Sequence, residues 1–170
     1  IFLSNHSYGV PVDSSPAWLM GAYNQDAREI DQIAKNNPKY LIVSSAGNSG
    51  QTNYSGGLYS IFDKLTTNKN AKNNLVVANA DPTFSPFTNQ LTLSINPSSS
   101  QGPTDDLRIK PDIAGDGTNL LSPTPDNTYS TFSGTSMASP NLTGSLLLLQ
   151  QYYNQLNGKF MNSSTLKGLV

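Results

Sequence analysis

Two short strings carry residues suited to acyl-transfer chemistry. In Phe132-Ser133-Gly134-Thr135-Ser136-Met137-Ala138-Ser139-Pro140, a serine stands where a glycine-containing turn gives way to an apolar helical pattern. A hydroxyl at such a point sits beside unpaired N–H groups and the positive end of the helix dipole, which favour negative charge developing on a neighbouring oxygen. Gly134 and Ala138 leave room around it. Pro140 has no N–H, so the carbonyl four residues earlier, that of Ser136, loses its helical donor, which is tolerated near a helix start. The second string, Ser45-Ala46-Gly47-Asn48-Ser49-Gly50, follows the apolar run Tyr40-Leu41-Ile42-Val43. A carboxamide at the C-terminal end of a buried parallel strand can donate to a tetrahedral oxyanion without bringing a competing charge. Each residue also has an ordinary reading: a serine before a helix is commonly an N-cap, and an asparagine between glycines a turn former. The strings as wholes, taken together, carry the catalytic expectation.

Gly134 to Pro140 resembles, residue for residue, the nucleophile signature of the subtilase family of serine peptidases, of which subtilisin is the familiar member. Ser45 to Gly50 resembles the family loop that bears the oxyanion asparagine. Leu3-Ser4-Asn5-His6-Ser7-Tyr8-Gly9 resembles the strand whose Ser-x-Gly end pairs with substrate backbone and lines the primary specificity pocket. Ser99-Ser100-Gln101-Gly102-Pro103 and Lys110 to Gly117 resemble segments leading into the nucleophile, although Gly115-Asp116-Gly117 stands where many members carry Ala-Pro-Gly. The resemblance implies Ser136 as nucleophile and Asn48 as oxyanion donor. It places Ser7, Tyr8, Gly9, Ala46, Gly47 and Thr135 at substrate-binding positions, with Thr135 also buttressing the oxyanion region. It further implies a polypeptide substrate and a secreted or cell-surface protein.

A serine hydroxyl needs a base, which in this family is a histidine oriented by an aspartate. Neither family motif is present. The single histidine, His6, lies in the strand signature and is expected to be structural. Asp13-Ser14-Ser15 lacks the family's Asp-Ser/Thr-Gly pattern, and Asp112 and Asp116 read as turn formers. The family's chain order of Asp, His, Ser makes truncation the simplest account. Residues 1–170 are therefore expected to be the C-terminal part of a subtilase catalytic domain, inactive alone and lacking its N-terminal part. The alternative is a pseudo-peptidase or protein-binding module on the same fold.

The elements that must position these residues follow from periodicity. The opening Ile1-Phe2-Leu3-Ser4 reads as a strand, and Ala27, Ile30, Ile33 and Ala34 mark a helix ending at Asn36-Asn37-Pro38. Tyr40 to Val43 and Leu75 to Ala78 read as buried parallel strands separated by a long polar loop, Ser44 to Asn74. Weak strand signals follow at Leu91-Thr92-Leu93 and Leu120-Leu121. A helix from about Thr135 to Asn157, stopped by Gly158, is apolar around most of its circumference and is expected to be central and buried. The fold class is α/β: a largely parallel, subtilisin-like sheet with helices on both faces, here a truncated portion. Both chain ends look like cuts within a larger fold, and uncovered strand edges predict self-association of the piece.

With 10 Lys+Arg against 11 Asp+Glu, the net charge of −1 gives no electrostatic reason to expect nucleic acid or an anionic membrane as partner. The chain has no cysteine, which excludes disulfides and thiolate metal sites. The aliphatic run Leu146 to Leu149 is far too short to span a bilayer. No cofactor motif or metal constellation is legible; structural calcium sites built from loop carbonyls leave no sequence mark.

Overall fold

The computed structural model describes residues 2–170, so Ile1 of the expected opening strand lies outside the described residues. Strands β1 (Leu3–His6), β2 (Leu41–Ser45) and β3 (Leu75–Ser85) pair side by side in parallel. The far half of β3 folds back through a hairpin into β4 (Gln90–Ile95), while β5 (Ile113–Asp116) adds in parallel along its near half. Val77 pairs with Ser45 on one side and Ile113 on the other, so β5 lies opposite β2. A separate antiparallel pair, β6 (Leu120–Thr124) and β7 (Thr128–Phe132), leads into the nucleophile string.

Every residue of β2 is buried, which only a strand covered on both faces can achieve. Leu41, Val43, Leu75 and Val77 share one face with Leu3 and form the main core with Ala138, Leu146, Met161 and Leu166. The alternate residue Val76 packs instead with Ala46 and Leu65 on the other face. Helix α1 (Gln25–Asn36) connects β1 to β2; the Asn24 side chain caps it by accepting the Ala27 N–H, and it stops just before Pro38. Only Ala27 and Ala34 of its expected apolar face are buried, and Ile33 remains 42% exposed.

Helix α2 (Thr135–Asn157) has the predicted bounds and ends at Gly158 in the left-handed conformation. Its burial corrects the sequence reading. Ala138, Thr143, Leu146 and Gln150 face the sheet side and are buried, but Leu148, Tyr152 and Leu156 are 68%, 60% and 66% exposed. Among the described residues, nothing covers that outer side. Helix α3 (Ser163–Leu169) packs Leu166 into the main core, and the buried Gln150 carboxamide exchanges hydrogen bonds with both Met161 backbone groups to fix the intervening return.

Asp112 is a second correction: it is an ionic clamp, not a turn former. Its carboxylate accepts the Val76 N–H at 2.7 Å and pairs with Lys110 at 2.6 Å and Lys167 at 2.9 Å, tying β3, the approach to β5 and α3 together. Asp116, by contrast, does hold a turn, accepting the Thr118 N–H. Burial alone would raise the Asp112 carboxyl, but the ammonium groups of Lys110 and Lys167 and the Val76 N–H outweigh it and hold it below the usual carboxylate range. Its folded value therefore lies below its unfolded value, and the stabilisation is present above the unfolded pKa and lost as pH falls through the folded one. Asp112→Asn is expected to cost about 3 kcal/mol in urea unfolding near neutral pH, because it strands the buried Lys110 ammonium. The deficit should shrink below about pH 4; a deficit constant with pH would remove the clamp from the account.

Candidate active site

The carboxyl ends of β1 and β2 and the amino end of α2 meet at one cleft, the usual ligand position for open parallel sheets. A cavity of about 280 Å³ opens there, and its lining contains Ser136 and Asn48 together with Ser7, Tyr8, Gly9, Ala46, Gly47 and Thr135. The structure thus brings together all eight residues singled out by sequence.

The N-cap of α2 is Gly134, with no side-chain cap, so Ser136 lies one residue inside the helix and is not an N-cap. Met137 and Ala138 direct their N–H groups to the Gly134 carbonyl, and the Gly134 N–H goes to the Gly117 carbonyl. The Thr135 N–H donates to Asn48 Oδ1 at 3.0 Å. Among the described residues, no acceptor meets the Ser136 N–H and no partner meets its Oγ. That N–H and hydroxyl stand together at the positive end of a 23-residue helix.

Asn48 is oriented by necessity. Its Oδ1 receives two donors, the N–H and the hydroxyl of Thr135, both at 3.0 Å. A carboxamide so held turns its Nδ2 away, and that group has no acceptor among the described residues. The Thr135 hydroxyl in turn accepts the Gly47 N–H at 3.0 Å, and Thr135 is wholly buried. Gly134 completes the contact: its φ is 145°, and a Cβ there would stand 3.2 Å from Asn48 Nδ2. From the other side the Ser98–Ser100 stretch straps the loop. Gly50 N–H donates to the Ser98 carbonyl, Ser100 N–H to the Gly47 carbonyl, and Ser49 N–H to Ser100 Oγ.

The Ser136 carbonyl, deprived of its helical donor by Pro140, accepts the Ser7 hydroxyl at 3.0 Å. Asn5 extends this tie, donating to Ser7 Oγ and accepting from Ser139 Oγ at 2.6 Å. Asn5 carried no sequence signal, since a polar residue on a strand is unremarked until the helix beside it is known. Lys64 and Lys69, which also line the cavity, lay unmarked in the long polar loop. His6 has both ring nitrogens occupied within its own segment, Nε2 by Ser4 Oγ and Nδ1 by the Tyr8 hydroxyl, and burial lowers its pKa. Asp13 lies exposed in a turn. Among the described residues, no three His, Asp or Glu side chains converge to hold a metal, and no helix is long and apolar enough to cross a membrane.

Chemically, the arrangement offers a hydroxyl with two unengaged donors, one backbone and one carboxamide, suited to an anionic oxygen formed beside it. Thr135→Val keeps shape but leaves the Gly47 N–H without its acceptor and Asn48 Oδ1 with one donor. It is expected to cost about 1–3 kcal/mol in urea unfolding. An unchanged midpoint would show that the Asn48 loop is held by the Ser98–Ser100 strap alone.

Comparison with known proteins agrees with this geometry. The PII-type proteinase of Lactococcus lactis subsp. cremoris is 48% identical over 61 residues, covering 36% of this chain and 3% of that protein. The C5a peptidase of Streptococcus pyogenes serotype M3 (strain SSI-1) is 41% identical over 91 residues, covering 54% of this chain and 8% of that protein. Among solved structures, the self-cleaved protease domain of PatA superposes with a TM-score of 0.69 at 20% identity, covering 99% of this chain and 52% of that one. The PatG macrocyclase in complex with peptide gives 0.68 at 19% identity, with 98% and 42% covered. The chain thus spans about half of those folds and a small share of the curated relatives. The subtilase family model matches residues 1–170, and the chain belongs to that family.

Proposed function

We propose that this chain supplies the nucleophile and oxyanion half of a serine endopeptidase acting on polypeptides. The observation that carries the proposal is that, among the described residues, the Ser136 N–H and hydroxyl and the Asn48 Nδ2 have no hydrogen-bond partner while Asn48 Oδ1 is engaged twice. Ser136 Oγ attacks the scissile carbonyl, its proton passing to a base, and the carbonyl oxygen gains the charge that the Ser136 N–H and Asn48 Nδ2 receive. Ser7, Tyr8 and Gly9 on one wall, and Ala46 and Gly47 on the other, align the extended substrate. Thr135 holds the oxyanion donor in place.

The base is assigned to an N-terminal part of the same domain that contributes the family's His and Asp. Two features support this: the chain spans 52% of the PatA protease domain, and its only histidine is engaged elsewhere. The exposed outer side of α2 and the apolar β3–β4 hairpin, with Phe87 98% exposed, form the surface assigned to the rest of the protein. A secreted or cell-surface location belongs to the same proposal and rests on the family resemblance.

A fluorophosphonate probe should label Ser136 of the full-length protein stoichiometrically and the 170-residue chain barely. In subtilisin, loss of the histidine alone costs about 2 × 10⁶ in kcat. Rapid labelling of the isolated chain would refute the assignment of the base. In the full-length protein, Asn48→Ala should lower kcat by about 10²–10³ with little change in KM, the magnitude known for this donor in subtilisin. The isolated chain should also self-associate, with scattering mass rising with concentration; a clean monomer at high concentration counts against the assigned surface.

A further inference from the structure

Three lysines of this chain lie almost entirely inside the protein, and they differ in what they meet. Lys110 gives its ammonium to Asn74 Oδ1 and Asp112. Lys64, 5% exposed, donates to the Gly50 carbonyl. Lys69, 3% exposed, has no hydrogen-bond acceptor and no carboxylate partner among the described residues. A buried ammonium without a partner is costly, and buried lysines ordinarily acquire one. Burial lowers its pKa to about 8.

The position of Lys69 says what is to meet it. It sits on the short 3-10 turn Thr67–Asn70 and lines the cavity that holds Ser136 and Asn48. Its chain rises between the two walls of that cavity. A Cβ on Gly9 would stand 1.8 Å from its Nζ, and one on Gly47 would stand 3.8 Å from its Cε. The ammonium therefore lies against the backbone of the Ser7–Gly9 wall and reaches across from the Gly47 wall. The residue keeps 3% exposure and lines the cavity. The cavity lining contains two lysines and no Asp or Glu. Lys64 donates to a carbonyl, so Lys69 is the cavity lysine whose ammonium meets no acceptor among the described residues.

Resting on the peptidase reading above, we propose that Lys69 makes this cavity a specificity pocket for an acidic side chain, the Asp or Glu that precedes the scissile bond. The substrate carboxylate supplies the partner that the folded chain withholds, and the Ser7–Gly9 wall carries the backbone of the same residue. An aromatic or long apolar side chain would have to bury the ammonium further without pairing it, and a basic one would face it directly.

The test uses the full-length protein with Ser136→Ala and fluorescent peptides differing only at the residue before the scissile bond: Glu, Asp, Gln, Phe or Lys. Affinity is read by fluorescence anisotropy, and the Ser136 protein is assayed in parallel for hydrolysis of the same peptides. Glu or Asp should bind about 10–100-fold more tightly than Gln, the range for a hydrogen bond to a charged group. Lys69→Met should abolish that preference, so that Glu and Gln peptides bind alike. Gly9→Ala, which keeps the charge but displaces the ammonium, should weaken it independently. Equal binding of Glu and Gln, tighter binding of Phe or Lys, or no binding of any peptide overturns the proposal. Tight, Glu-selective binding without hydrolysis by the Ser136 protein would instead sustain the pocket and overturn the peptidase reading.

Discussion

The Thr135 N–H has to find an acceptor, because it lies in the first turn of α2, where the helix offers none, and the residue is wholly buried. It finds Asn48 Oδ1, and the rest of the site depends on that bond. An N–H can be met only by the oxygen end of a carboxamide, so satisfying the helix simultaneously decides which way Asn48 points. The Thr135 hydroxyl makes the decision firmer, donating to the same oxygen while accepting the Gly47 N–H. A requirement of secondary structure, that buried donors be paired, thereby leaves the Asn48 Nδ2 donor without an acceptor among the described residues. Gly134 permits the close approach, and the Ser98–Ser100 strap prevents the loop from withdrawing.

Pro140 works in the opposite sense. It removes a donor, leaving the Ser136 carbonyl to be satisfied by something outside the helix, and Ser7 at the end of β1 does so. Asn5 links that hydroxyl to Ser139, one residue before the proline. The end of β1 and the helix start are thus joined by side-chain bonds, one of them to a carbonyl that a regular helix would have used itself. The Ser7 end of β1 and the start of α2 are thereby tied to each other. Motifs that look separate in the sequence, Ser-x-Gly near residue 8 and Ser-Pro at residues 139 and 140, are two sides of one hydrogen-bond account.

This explains what could be read from the sequence and what could not. The strands β1, β2 and β3 and both ends of α2 were legible because continuous apolar runs, a Gly-to-helix transition and Gly158 each have a local physical meaning. Strand β7 was not, because Thr128 to Phe132 is exposed and pairs only through a turn in which Asp126 and Asn127 adopt left-handed conformations. The outward side of α2 was misread for a related reason: composition reports how apolar a helix is, but not which partner covers it. The eight candidate residues that meet in the cleft were legible through their strings. Asn5, Lys69 and the ionic role of Asp112 were invisible, since a lone polar residue acquires meaning only from the atoms that the fold places around it.

The elements that hold Asn48 and Ser136, namely β1, the Asn48 loop, the Ser98–Ser100 strap and the start of α2, all lie within these 170 residues. Preorganisation of donors matters because dipoles already fixed before reaction need no reorganisation as charge develops. Here the fixing is accomplished by folding alone, from bonds that buried backbone groups must make in any case. Proton transfer places a different demand on a protein. It needs a titratable group at a short distance from the hydroxyl, and that group can arrive on another part of the domain without disturbing the donors. On the proposed reading the chemistry divides along a physical line, with charge stabilisation rooted in backbone satisfaction within this chain and nucleophile activation separable from it. Lys69 is likewise held at the cleft by the fold, its ammonium without a partner among the described residues.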